Sequence, residues 1–96
     1  MHYVYILYSS SLDRYYIGQT QDLASRLAKH NDSENNNHWT KRGIPWELKL
    51  QLLCEDRSES MRLERYLKSK KRRSFTEQLI EDEELQQWVL GKIKSQ

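Results

Sequence analysis

The side chains best suited to chemistry lie in three short parts of the sequence. Five of the six tyrosines fall within residues 3–16, Arg26 and His30 follow with a spacing of four, and Glu64 lies in a later basic segment. An arginine and a histidine four residues apart on a helix project side by side. The sequence contains no Ser-His-Asp arrangement, no glycine-rich phosphate loop and no zinc-type run of metal ligands. The available groups are therefore phenols, one guanidinium, one imidazole and one carboxylate.

The charges of the chain are separated along the sequence. Residues 56–73 carry eight basic and three acidic side chains, whereas residues 74–86 carry five acidic side chains and no basic one. One interpretation is a pair of solvated helix faces that attract each other. The other is a phosphate-binding surface with an acidic segment turned away from it. The formal net charge of +2 does not decide between them.

Composition limits the classes of protein to which the chain can belong. A length of 96 residues with 36% hydrophobic side chains predicts one domain with a thin core that relies on large aromatics. The single cysteine, Cys54, excludes an internal disulfide and a cysteine-rich zinc site, and it suits a reducing compartment. No apolar run approaches the ~20 residues of a membrane span, and the N-terminus lacks the features of a signal peptide. We therefore expect a soluble cytoplasmic protein that does not bind membranes.

The elements that must position these side chains begin with a predicted β-hairpin and a helix. Residues 2–8 and 15–20 are rich in β-branched and aromatic side chains, and a short polar turn joins them. Asp22 is a good N-cap for a helix over residues 23–31. The predicted buried stripe of that helix is Leu23, Ala24, Leu27 and Ala28.

A third strand is predicted over residues 46–54, where apolar and polar side chains alternate. Strict alternation would place four apolar side chains on one face, namely Trp46, Leu48, Leu50 and Leu52. The order of elements then predicts an α+β fold in which a three-stranded, mostly antiparallel sheet is flanked by helices.

Three helices are predicted after this strand. Asp56 with Glu59, and Ser74 with Glu77, have the spacing of capping boxes that open two of them. Apolar side chains resume at helical spacing over residues 85–93, which predicts a short last helix. The predicted order is therefore ββαβαα followed by a C-terminal helix.

Several of these residues form motifs that resemble those of the GIY-YIG nuclease superfamily. The hairpin carries Tyr3-Val4-Tyr5 and then Tyr16-Ile17-Gly18-Gln19-Thr20. Asp22-Leu23, Arg26-Leu27 and His30 resemble the helix signature of the family. The segment Leu63-Glu64-Arg65-Tyr66-Leu67-Lys68 is similar to the one that carries the family's metal-binding glutamate. The resemblance covers about residues 1–80 and is nearest to small standalone members and to the N-terminal nuclease domain of the repair excinuclease. Tyr3 stands at a glycine position of the family, and Gln19 stands where some members have lysine.

The resemblance implies hydrolysis of phosphodiesters in nucleic acid, DNA rather than RNA, with one Mg²⁺ or Mn²⁺ ion. It implies catalytic roles for Tyr5, Tyr16, Arg26, His30 and Glu64. Glu64 would bind the ion, which prefers carboxylate and water oxygens, and Arg26 would clamp the phosphate. One of the two tyrosines would orient and deprotonate the attacking water, although a free phenol titrates near ~10 and needs nearby cations to lower its pKa. His30 would relay that proton or bind a phosphate oxygen.

Each of these residues also has an ordinary structural interpretation. The tyrosines could be core aromatics, the Arg-His pair could be solvated, and Glu64 could pair with Lys68 at i,i+4. Gly18 is predicted to be structural at the site, because it lets backbone or substrate come close. The candidate nucleic-acid-binding residues, which could equally belong to a soluble helix end and an exposed loop, are Trp39, Lys41, Arg42, Lys68, Lys70, Lys71, Arg72 and Arg73.

Three functions remain open at this stage. The first is a DNA endonuclease, related to repair, that acts on flaps, nicks or other non-duplex forms. The second is a weakly active or inactive nucleic-acid-binding module of the same fold. The third is a protein-interaction module that uses the C-terminal helix and Trp88. We expect residues 1–80 to form the nuclease domain and residues 81–96 to form an acidic helical extension packed on it.

Overall fold

Three antiparallel strands and four α-helices form the fold. The computed structural model describes residues 1–95. The elements are β1 (His2–Ser9), β2 (Arg14–Thr20), α1 (Leu23–His30), a 3-10 turn (Trp39–Gly43), β3 (Trp46–Cys54), α2 (Arg57–Lys70), α3 (Arg73–Glu81) and α4 (Glu83–Lys94). This arrangement confirms the predicted α+β class and the order ββαβααα.

The central strand of the sheet is buried on both faces. The strand order is β2-β1-β3, so β1 is paired on each side and β2 and β3 are edge strands. Val4 and Ile6 pack on one face against α2, α3 and α4, whereas Tyr5 and Leu7 pack on the other face beside α1. Because both faces are covered, β1 has four consecutive buried residues, from Val4 to Leu7.

A bulge in β3 reverses the direction of its side chains. Ile6 of β1 pairs with Leu50, but Leu7 pairs with Leu48, so the register skips Lys49. An extra residue on one strand moves every later side chain to the opposite face. Leu50 and Leu52 accordingly join the core beneath α2, while Trp46 and Leu48 join the core beside α1. The prediction of one shared apolar face was wrong, because the sequence alternates through the bulge without a break.

Two of the predicted helix starts are correct and one is wrong. The Asp22 carboxylate accepts from the Ser25 amide at 3.1 Å, and the Asp56 carboxylate accepts from the Glu59 amide at 2.8 Å. The predicted cap at Ser74 is not formed, because α3 already begins at Arg73 and Ser74 lies within it. The link from α2 is only two residues long, and the left-handed Lys71 (φ 51°) turns the chain directly into the next helix.

The buried face of α1 differs from the predicted stripe. Leu23 and Leu27 are partly buried and His30 is buried, whereas Ala24 and Ala28 are exposed. The sheet therefore covers only the narrow face spaced at i, i+4 and i+7.

The last helix contributes to the larger of the two cores. Val89 and Ile93 of α4 are fully buried in the cluster that contains Val4 and Ile6. Trp88 lies on the outer side of α4 and is 57% exposed. Within residues 1–95, none of the helices combines the length and the apolar character that crossing a bilayer requires.

Candidate active site

The phenol of Tyr5 lies across the neighbouring strand at Gly18. Tyr5 of β1 and Gly18 of β2 are cross-strand partners. A Cβ atom at residue 18 would lie 2.5 Å from the Tyr5 hydroxyl oxygen and 2.7 Å from the ring carbon that carries it. Only glycine leaves room for the ring at this point. The hydroxyl is thereby brought to β2, which forms an edge of the sheet.

His30 contacts the same hydroxyl from the end of α1. Its Nε2 lies 3.2 Å from the Tyr5 hydroxyl oxygen, and its Nδ1 lies 3.0 Å from the Thr40 hydroxyl oxygen. Burial is the main cause that lowers the pKa of His30 to about 4, and the nearby Arg26, His38 and Lys29 side chains lower it further. The imidazole is therefore neutral at physiological pH.

Tyr16 lies at the centre of an aromatic cluster. Its ring centroid is 4.7 Å from that of His30, 5.9 Å from that of Trp39 and 6.1 Å from that of Tyr5. Aromatic pairs at such separations add to the stabilisation that burial provides. The cluster holds the two phenols on the same face of the hairpin.

Two charged side chains act on the Tyr5 hydroxyl from different helices. Burial raises the pKa of Tyr5 well above its usual range, Tyr16 and the negative Glu64 raise it further, and the positive Arg26 lowers it. Arg26 is exposed on α1, and Glu64 is partly buried on α2. The Tyr5 phenol is therefore influenced by the other four residues of the resemblance, by direct contact with His30, by the neighbouring ring of Tyr16 and by the charges of Arg26 and Glu64.

Glu64 also forms the ion pair that its spacing allows. Its Oε1 lies 3.3 Å from the Lys68 ammonium, and its side chain is 24% exposed. One turn earlier in α2, the Ser60 hydroxyl lies 3.4 Å from the Gln19 side-chain oxygen, so this face of α2 runs along β2. The ion pair with Lys68 uses one oxygen of the Glu64 carboxylate and leaves the other for a further partner.

A divalent ion at this position would have one protein carboxylate as its ligand. Among residues 1–95, no group of three or more His, Cys, Asp or Glu side chains is arranged to hold a metal. Such a donor set does not suit zinc, which takes three or four protein ligands. It does fit Mg²⁺, which keeps several waters and is often bound by one or two carboxylates together with a substrate phosphate.

A basic groove of about 590 Å³ begins at Tyr16 and runs along β2. Trp39 forms one wall, while the C-terminal end of α2 and the start of α3 form the other. Four of the candidate nucleic-acid-binding cations line the groove, namely Lys68, Lys71, Arg72 and Arg73, together with Arg14. Trp39 is 45% exposed, an unusual exposure for so large an apolar side chain.

The remaining candidate cations occupy other surroundings. Lys41 and Arg42 are exposed in the 3-10 turn, and Lys70 lies over the ring of Tyr66 at 4.6 Å. Arg73, although it lines the groove, donates to the Asp13 carboxylate at 2.6 Å, and it holds the pKa of that carboxyl at about 2. Its main contact is therefore the link between the hairpin turn and α3.

The loop before β3 contains supporting residues that the sequence did not reveal. Thr40 and Asn36 are buried, and they hydrogen-bond to each other and to His30. The Asn31 side chain brackets the Trp46 backbone, with its Oδ1 accepting at 2.6 Å and its Nδ2 donating at 3.0 Å. In the sequence these asparagines belong to a polar run that is typical of an exposed loop. No local signal distinguishes a buried asparagine from a solvated one.

One of three comparisons with known proteins relates the chain to a family. A family model described as the GIY-YIG catalytic domain matches residues 1–78. Searches of curated proteins and of solved structures gave no match. The family match indicates nuclease-type activity on nucleic acid in general.

Proposed function

Because the chain belongs to the GIY-YIG family, we propose that it is an endonuclease that hydrolyses phosphodiester bonds of DNA with the help of one divalent metal ion. The observation that carries the proposal is the contact of His30 with the buried Tyr5 hydroxyl, on which the charges of Arg26 and Glu64 also act. Arg26 and His30 come from α1 and Glu64 comes from α2, and a merely structural tyrosine has no need of all of them. Tyr16 completes the set from the adjacent strand.

Glu64 is the residue that would bind the ion. Its carboxylate retains one oxygen beyond the oxygen that faces Lys68. When bound, the metal supplies Lewis acidity toward the scissile phosphate and its leaving oxygen. Arg26 is exposed beside the site and would bind the phosphate with its planar, permanently charged guanidinium. Negative charge that develops on the phosphate would then be stabilised both by Arg26 and by the ion that Glu64 binds.

Tyr5 is the proposed general base. It accepts a proton from the attacking water only as a phenolate, so the site must lower a pKa that burial raises. The positive charge of Arg26 acts in that direction. General-base catalysis of this type contributes about 10²–10⁴-fold to a rate. Tyr16 is proposed to orient the water, since its ring lies beside that of Tyr5.

The groove along β2 is the proposed path of the nucleic acid. Lys71 and Arg72 on its far wall would neutralise backbone phosphates, which makes binding salt-dependent. Trp39 at its near wall would stack on a base. Stacking on a protruding indole requires an unpaired base, so we propose that flaps, nicks or similar interrupted duplexes, as formed in repair, are the preferred substrates.

The test is cleavage of supercoiled plasmid and of flapped, nicked and intact oligonucleotide duplexes in Mg²⁺. We expect Glu64→Gln to abolish cleavage, because the amide keeps the shape of the side chain but binds a hard cation poorly. Glu84→Gln is the matched control, since Glu84 is an exposed acid of α4, and it should retain full activity. Equal residual cleavage by the wild-type protein and Glu64→Gln would refute the proposal.

A second candidate is a nucleic-acid-binding module with weak or no catalysis. It is favoured by the raised pKa of Tyr5 and by the Lys68 partner of Glu64, which both oppose the proposed chemistry. This function predicts binding that survives chelation of metal and Glu64→Gln and that falls steeply with salt. Binding without turnover on any of the four DNA forms would favour it over the endonuclease.

A further inference from the structure

We propose that Thr40 and Asn36 act as positioning residues that hold His30 in the tautomer with its proton on Nε2, so that His30 donates a hydrogen bond to the Tyr5 oxygen. This role differs from the proton relay that the sequence suggests, because a protonated Nε2 cannot accept the Tyr5 proton. The catalytic consequence rests on the proposed function, whereas the tautomer itself does not.

The chain of hydrogen bonds begins with the side-chain amide of Asn36. Its Nδ2 lies 2.9 Å from the backbone carbonyl of His30, and its Oδ1 lies 2.8 Å from the backbone amide of His38. A carbonyl only accepts and an amide N–H only donates, so both contacts require the same orientation of the Asn36 amide. The Nδ2 must therefore also be the donor toward the Thr40 hydroxyl oxygen, 3.0 Å away.

The Thr40 hydroxyl accepts a hydrogen bond from Asn36 and therefore donates its own proton to His30. It is fully buried and, within residues 1–95, its oxygen has two polar neighbours, the Asn36 Nδ2 and the His30 Nδ1 at 3.0 Å. Since Asn36 donates to it, its own proton has one acceptor, the His30 Nδ1. A proton on Nδ1 instead would leave the Thr40 hydroxyl a buried donor without an acceptor, an arrangement that folded proteins avoid.

The neutral imidazole must then carry its proton on Nε2. That nitrogen lies 3.2 Å from the Tyr5 hydroxyl oxygen, so His30 is the donor in this contact. Hydrogen bonding to the charged form of a group favours that form, and the bond therefore stabilises the Tyr5 phenolate against the effect of burial. The Tyr5 O–H proton can then be donated to the Tyr16 phenol, a hydrogen bond that is among the causes of the raised Tyr5 pKa, so neither buried hydroxyl lacks an acceptor.

The backbone keeps these residues in register. The Thr40 carbonyl accepts from the indole N–H of Trp46 at 2.6 Å, which ties the loop to the start of β3. Gly43 allows this approach, because a Cβ atom at residue 43 would overlap the Trp46 ring. The tautomer of His30 is thus set by buried residues of the loop before β3.

The first experiment is nitrogen-15 NMR of the His30 ring in the full chain near pH 7. We expect the pyrrole-type signal at Nε2 and the pyridine-type signal at Nδ1. Thr40→Val removes the hydroxyl and should release the tautomer toward Nδ1–H, whereas Thr40→Ser should restore the wild-type pattern. A pyrrole-type Nδ1 in the wild-type protein overturns the inference, whether or not any of the variants folds.

The second experiment follows cleavage as a function of pH in the same variants. The groups that act on Tyr5 are Tyr16, Arg26 and Glu64, and they are unchanged in all three proteins. Loss of a hydrogen bond to an anion should shift the rising limb of kcat upward by about one pH unit or more, with KM unchanged. Thr40→Ser should shift the limb back, and an unshifted limb in Thr40→Val would overturn the catalytic consequence.

A wild-type protein with the expected tautomer but no cleavage would refute the proposed endonuclease and leave the tautomer assignment intact.

Discussion

At the scale of single residues, the site depends on a glycine as much as on its ionisable groups. The Tyr5 ring occupies the space that any side chain at residue 18 would fill. Tyr5 is also the residue whose hydroxyl His30 contacts, so a displacement of its ring breaks that contact. Gly18 therefore has a packing role: it leaves the space that fixes the position of the Tyr5 ring.

A pair of glycine substitutions tests this role. Gly18→Ala should destabilise the protein by about 1–3 kcal/mol, because the Tyr5 ring must move out of a packed core. Gly91→Ala is the control: residue 91 lies within α4 with no atom close to an added Cβ, so alanine should stabilise by about 0.5–1 kcal/mol. Urea unfolding measures both changes. A Gly18→Ala protein as stable as the wild type would show that the Tyr5 ring is not confined.

Glu64 illustrates how one residue can satisfy two interpretations. Its i,i+4 pair with Lys68 is the contact that helix spacing predicts, and an exposed pair of this type is worth only about 0.3–0.5 kcal/mol. Its charge also acts on Tyr5, which lies in a strand more than fifty positions earlier in the chain. The ion pair follows from the sequence of α2, whereas the effect on Tyr5 follows from how α2 packs along β2.

At the scale of elements, the bulge of β3 distributes apolar side chains between two cores. Without it, Trp46 and Leu48 would face α2 and leave the Tyr5 side of the sheet open. Trp46 is the residue whose indole ties the loop of Thr40 to the sheet. The bulge thus connects strand geometry to the surroundings of His30.

Removal of the bulged residue should be far more damaging than its truncation. Lys49→Ala loses an ion pair with Glu47 and a contact with the Tyr8 ring at 5.9 Å, and it should change stability by about 1 kcal/mol or less. Deletion of Lys49 moves the side chains before it to the opposite face of the sheet. The deletion variant should therefore show no cooperative thermal unfolding transition above room temperature. Calorimetry distinguishes the two variants. A deletion variant that melts like Lys49→Ala would mean that β3 can slip without cost.

At the scale of the whole molecule, the site lies where both cores meet at one sheet edge. Tyr5 and Tyr16 approach from the α1 side, and Glu64 and Lys68 approach from α2 on the opposite side. Because β2 is an edge strand, no further strand separates these groups. The groove continues from this edge, so an extended chain could pass the site and the basic wall together.

The two exposed tryptophans provide a matched test of the groove. Trp39→Ala should weaken binding of a flapped DNA by about 1–3 kcal/mol, the usual contribution of one stacked base, and should leave binding of intact duplex unchanged. Trp88→Ala removes an indole of similar exposure on α4, outside the groove, and should bind both DNA forms like the wild type. Fluorescence anisotropy with catalytically inactive Glu64→Gln protein measures these affinities. Equal losses in the two variants would exclude the groove as the binding path.

The sequence by itself determined the elements of this protein and the residue types at its site. Strand alternation, helix spacing and the caps at Asp22 and Asp56 depend on neighbours a few positions apart, so local pattern was enough to predict them. The motifs of the hairpin and of α2 were visible for the same reason.

Tertiary structure alone decided the direction of side chains in β3, the burial of Thr40 and Asn36 and the effect of Glu64 on Tyr5. These features depend on contacts between residues far apart in sequence, and a polar side chain looks the same in a sequence whether water or another buried group satisfies it. Alternation likewise continues unchanged through a bulge, since only the partner strand reveals the extra residue.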